Sequence, residues 1–98
     1  MESVWITTAE VGVEPGDMPS GDVVGFMKIT SWATSEEAFI EKIRMYLSKY
    51  NWVLISVERT ELADPSHDYG DETNQLIDET LRNKERIGLG TYYSYKLN

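Results

Sequence analysis

The sequence predicts an α+β fold, a two-layer α/β sandwich in which a mixed sheet of about four strands carries two helices on one face. Three observations predict it. Segments of strand period and helix period follow one another in the order strand, strand, helix, strand, helix, strand. The helical segments are bounded by capping residues and breakers. The chain has 98 residues, 41% hydrophobic and 11% aromatic, which is one domain's worth with enough apolar material for a single modest core.

The first strand runs from Val4 to Ala9, β-branched and aromatic with no helical period, and reaches at most Val11 or Val13. Glu14 to Asp22 then places two prolines and two glycines in nine positions, which predicts a long-tipped hairpin between antiparallel neighbours. In the second strand, Val23 to Trp32, residues Val23, Gly25, Met27, Ile29 and Ser31 share one face. Val24, Phe26, Lys28, Thr30 and Trp32 share the other, and apolar residues on both faces predict a central strand.

Thr34-Ser35-Glu36-Glu37 fits a capping box, with the Thr34 hydroxyl accepting from the Glu37 N–H. It opens a helix whose apolar stripe is Phe39, Ile40, Ile43, Tyr46, Leu47 and Tyr50, with Asn51 as a left-handed stop. Trp52 to Glu58 is the third strand, with Val53, Ile55 and Val57 expected against the helix and Trp52, Leu54, Ser56 and Glu58 turned away. The chain from Leu62 to Glu72 is polar and acidic and reads as a surface loop. Asp71 or Thr73 caps a second helix with an apolar edge of Leu76, Ile77 and Leu81, and Arg82, Lys84 and Arg86 gather where its dipole favours cations. Gly88-Leu89-Gly90 ends it and opens a last strand, Leu89 to Leu97. Taken as two right-handed crossovers, the strand-helix-strand units put both helices on one side of the sheet, a ββαβαβ arrangement of ferredoxin-like type.

The chain contains no cysteine, so disulfides, thiolate nucleophiles and sulfur-ligated metals are excluded together, which fits a reducing compartment. Met1-Glu2-Ser3 lacks the basic start of a signal peptide, and no run approaches the roughly 20 apolar residues of a membrane span, so a cytoplasmic location without membrane association is expected. Phosphate binding rests on clustered Lys and Arg; a net charge of −8 disfavours nucleic acid as a partner.

Residues able to carry chemistry are sparse. His67 is the only histidine and stands among Asp64, Asp68, Asp71 and Glu72, but their spacing does not follow a calcium-loop template, and a solvated acidic loop is the simpler reading. Ser66, His67 and Asp68 are adjacent in sequence and cannot form a relay. Gly88-x-Gly90 precedes a strand and lacks a third glycine, so it serves helix termination or close packing and not phosphate binding. Beyond His67, Glu58, Arg59 and Tyr95 there are few titratable groups for a pocket. No catalytic residue, cofactor or metal is assigned.

The aromatic set is the strongest feature. Trp5, Phe26, Trp32, Trp52, Leu54, Tyr92 and Tyr95 lie on strands, and several fall on the face expected to be free of helices. Such a patch predicts a protein contact surface. The segments Trp32 to Ala38, Asn51 to Glu58 and Leu89 to Tyr95 resemble a group of small bacterial acidic α/β domains of uncharacterised function. That resemblance implies a bacterial, cytosolic origin and supplies no catalytic residues. The expected function is a non-enzymatic protein-interaction module, self-associating as a homodimer through the aromatic face or docking on a protein partner. The alternatives are a small-ligand-binding or enzymatic domain with a pocket at the sheet/helix or dimer interface, and an immunity or inhibitor protein whose acidic surface covers a basic partner.

Overall fold

The computed structural model describes residues 2–13, 23–64 and 66–96, apart from the side chains of 13, 23 and 94–96. The elements are β1 (Ser3–Val13), β2 (Val23–Ala33), α1 (Glu36–Ser48), β3 (Trp52–Leu62), α2 (Asp71–Arg82), β4 (Gly88–Leu89) and β5 (Tyr93–Lys96). The fold is α+β, one sheet with two helices. The expected hairpin tip from Glu14 to Asp22 and the end of the last strand at Leu97 lie outside the described residues.

The strand order is β3-β1-β2-β4, and β5 pairs with the other end of β2. Every ladder is antiparallel, which corrects the expected mixed sheet. β2 and β3 run the same way, but β1 lies between them. The expected last strand is divided: Gly88–Leu89 pairs Thr30 and Ile29, the Gly90 N–H donates to the Lys28 carbonyl, and pairing resumes at Tyr93 opposite Phe26. β2 is internal, as its two apolar faces require.

α1 begins one residue later than expected. Ser35, in extended conformation, caps it by accepting from the Ala38 N–H at 3.1 Å. Asn51 has φ of 62° and stops it, as its sequence position requires. Phe39, Ile43 and Leu47 recur every four residues, and that stripe is buried against Ala9 and Val11 of β1 and Met27, Ile29 and Ala33 of β2.

α2 lies on the opposite face, which corrects the expectation of two helices on one side. Thr73, Leu76, Ile77 and Thr80 form its buried stripe. The Thr80 hydroxyl meets that of Thr30 at 2.7 Å, and the Thr80 carbonyl accepts from Trp32 Nε1 at 2.6 Å. Thr30 and Trp32 alternate with Ile29 and Ala33, so they point away from α1. The second layer is α1 alone, and α2 covers one end of the reverse face. The physical reason is topological: β4 runs antiparallel to β3, so their connection is not a parallel crossover and the handedness rule does not hold α2 to the side of α1. This separates the fold from a ferredoxin-like arrangement. The N-cap of α2 is Gly70, with φ of 99° and no side-chain cap; Asp71 is the first helical residue and Thr73 is buried, so neither acts as the expected cap.

β3 carries two irregularities against β1. Glu10 pairs Ser56 while Val11 pairs Leu54, which leaves Ile55 as an extra residue. A second shift lies between Ile6 and Thr8, where Arg59 adopts φ of 53°. There the Thr7 hydroxyl donates to the Glu58 carbonyl at 3.0 Å and lies 2.8 Å from the Thr60 hydroxyl, which anchors the bulge from below. Among the described residues no helix is long and apolar enough to cross a membrane.

Candidate functional site

The first bulge decides where the aromatic residues go. Because Ile55 is inserted, Trp52, Leu54 and Val57 all pack toward the α1 core, and Val53 and Ile55 turn to the reverse face. Trp5 is also on the α1 side, stacked on Phe39 at 6.3 Å with its Nε1 donating to the Ala33 carbonyl at 3.2 Å. Tyr92 joins that side through Trp52. Phe26 and Trp32 are on the reverse face, and Trp32 is covered by α2 with Lys84 Nζ 5.1 Å from its ring centroid. The backbone of Tyr95 pairs with Val24; its side chain lies outside the described residues. The six residues of the expected aromatic face whose side chains are described are therefore divided between two faces.

What the structure does bring together is an aromatic groove at the C-terminal end of α1. It has a volume of about 480 Å³ and is lined by Met27, Tyr46, Leu47, Tyr50, Trp52, Leu89, Gly90 and Tyr92. The rings of Trp52 and Tyr92 meet edge to face, 5.0 Å apart and 77° inclined. Tyr46 and Tyr50, one helical turn apart, lie 5.3 Å centroid to centroid at 56°. The Tyr92 hydroxyl donates to the Val11 carbonyl at 2.9 Å, which fixes its ring, and burial raises the pKa of that phenol. Hydrogen bonding to Tyr50 raises the pKa of Tyr46. Tyr46 and Tyr50 read in the sequence only as the tail of a helix stripe. Nothing in the sequence set them apart, since the stripe ran to the expected stop at Asn51; the structure ends the helix at Ser48 and leaves Tyr50 60% exposed.

A second feature is the open end of the reverse face. α2 covers Val4, Ile6, Thr30 and Trp32, and stops there. At the other end Ile55 and Val24 meet over Gly12, and Val53 and Ile55 are 41% and 49% exposed. Among the described residues no titratable side chains converge on either feature as a nucleophile paired with a general base.

The acidic loop is organised by its own hydrogen bonds. Asp64 accepts from the Ser66 hydroxyl and N–H, and Asp68 accepts from the Gly70 N–H and from Asn74; these bonds hold both carboxyls below their ordinary range. His67 sits edge-on to Tyr69 at 4.5 Å and is exposed. Among the described residues no three His, Asp or Glu side chains converge as a metal site. Glu72 accepts from the Thr91 N–H at 2.6 Å, which lowers its pKa and ties the first turn of α2 to the segment between β4 and β5. A carboxylate depressed in the folded state stabilises it above the unfolded pKa, and that contribution disappears as pH falls through the lower folded value. Acidification is therefore expected to release this tether only below the ordinary range of a glutamate. The check is the Thr91 amide resonance, which should titrate with a midpoint below that of a free glutamate, and an unmoved resonance would refute it.

No family model matches the chain, and neither a curated protein nor a solved structure matches it.

Proposed function

We propose that the chain is a small acidic, non-enzymatic protein-interaction module that self-associates through the open end of the α2 face, in the bacterial, cytoplasmic setting its sequence resemblance implies. The observation that supports this reading is the exposure of Val53 and Ile55, 41% and 49%, on a sheet face whose helix covers only the far end. Apolar residues grouped in this way mark contact surfaces. A second copy suits the patch because an isologous pair buries the same residues twice and needs no charged complement. Addition along the β3 edge is the less favourable route. Its two bulges interrupt the ladder, and Glu58, Arg59 and Glu61 place charges along it.

The test is solution mass at micromolar concentration, by light scattering behind a sizing column. The wild-type protein is expected as a dimer, and Ile55→Glu as a folded monomer with unchanged circular dichroism. A wild-type monomer, or a dimer indifferent to Ile55→Glu, would overturn self-association through this face. A ligand-binding reading is favoured by a different observation, the aromatic groove where α1 meets the sheet, whose volume falls within the roughly 300–1,000 Å³ of small-molecule sites.

A further inference from the structure

We infer that the aromatic groove between α1, β3 and β4 is a binding site for a small organic cation bearing a quaternary ammonium group; the inference rests on the ligand-binding reading and not on self-association. Four aromatic side chains, Tyr46, Tyr50, Trp52 and Tyr92, line one cavity of about 480 Å³. Their rings are not parallel. Trp52 and Tyr92 stand at 77° to one another and Tyr46 and Tyr50 at 56°, so the groove offers a roughly spherical group aromatic surface in more than one orientation. Ring faces carry the negative end of the aromatic quadrupole and attract cations, Trp most strongly.

The lining decides which cation. Among the described residues the lining holds no Lys, Arg or His to repel a positive charge, in a chain of net charge −8 that raises the local concentration of cations. Among the described residues it also holds no Asp or Glu. A primary ammonium would bring three N–H donors into a cavity with almost no acceptors and would lose its hydration without replacement. A quaternary ammonium has no N–H, spreads its charge over methyl groups, and matches an apolar wall that includes Met27 and Leu47. The site is also pre-formed. The Tyr92 hydroxyl is anchored on the Val11 carbonyl, and Trp52 is held by Tyr92 and by the α1 core, so little ordering remains for the ligand to impose.

The experiment is a titration of the full chain with choline and, separately, with its neutral carbon isostere 3,3-dimethylbutan-1-ol, followed by NMR at low salt. The Trp52 indole resonance is expected to move with choline while those of Trp5 and Trp32 stay in place. Choline is expected to bind about tenfold more tightly than the isostere. Tyr50→Leu, at an exposed position, should weaken choline binding severalfold without changing the fold. Equal affinity for the two compounds would overturn the cation assignment and leave an apolar pocket. Absence of any shift with either would overturn both the inference and the ligand-binding reading. A shift that survives Tyr50→Leu unchanged would place the cation elsewhere and overturn the site.

Discussion

Phe39→Ala is expected to destabilise the protein by about 3–5 kcal/mol, most of the stability available to a domain of this size. The Phe39 side chain is fully buried, and it is the point where α1 closes on the sheet. It shares one core cluster with Ala9 of β1 and Ile29 and Ala33 of β2, and beside it the Trp5 ring stacks at 25°. Ala9 and Ala33 are too small to move into the space a deleted ring would leave, and Trp5 is held by its hydrogen bond to the Ala33 carbonyl, so the cavity cannot collapse. The lost transfer energy and the cavity therefore add. Phe39→Leu, which keeps most of the volume, should cost about 1–2 kcal/mol, and Met45→Ala on the exposed side of the same helix under about 0.5 kcal/mol. Urea midpoints for the three variants check the order, and Trp5 emission should shift to the red in Phe39→Ala before unfolding. Equal midpoints for Phe39→Ala and Phe39→Leu would show that the core tolerates the void.

The contrast between α1 and α2 explains how much of the fold was legible. The α1 stripe, its stop at Asn51 and its neighbouring strands depend on local periodicity and on single residues with strong backbone preferences, and both are written along the chain. The face taken by α2 is not local. It becomes open to α2 because β3 pairs with β1 while β4 pairs with β2, a choice made by the whole sheet. The Ile55 bulge is illegible for the same reason. Trp52 to Glu58 alternates without interruption in sequence, and the inserted residue exists only relative to the two neighbours, Glu10 and Val11, that it falls between. That one residue carried Trp52 and Leu54 from the expected contact face to the α1 core and left Val53 and Ile55 outside. The candidate site inherited the error: the aromatic residues were visible, and their division between the two faces of the sheet was not. Tyr46 and Tyr50 were visible as periodic residues, but their role as groove walls appears only once Trp52 and Tyr92 stand opposite them.

Gly88→Ala is expected to cost about 2–3 kcal/mol, a large effect for one added methyl group. The backbone there imposes no glycine-only conformation, so the cost is steric. A Cβ at position 88 would fall on the Thr30 hydroxyl, within 2.9 Å of the Thr80 hydroxyl and within 2.9 Å of the Leu76 Cδ1 methyl. Leu76 can swing aside. The hydroxyls cannot, because Thr80 donates to the Leu76 carbonyl at 2.8 Å and so must accept the Thr30 proton at 2.7 Å, and both side chains are fully buried. Displacing either leaves a buried polar group unpaired. This chain of contacts is what seats α2 on the reverse face, with Gly88 as the gap that admits it. A double-mutant cycle isolates it. Thr80→Ala alone should cost about 1–2 kcal/mol by orphaning Thr30, yet in the Gly88→Ala background the new methyl occupies the space the hydroxyl left, and the coupling should exceed about 1 kcal/mol. Additive costs in urea denaturation would mean that residue 88 and Thr80 do not compete for the same space, and the seating of α2 would need another explanation.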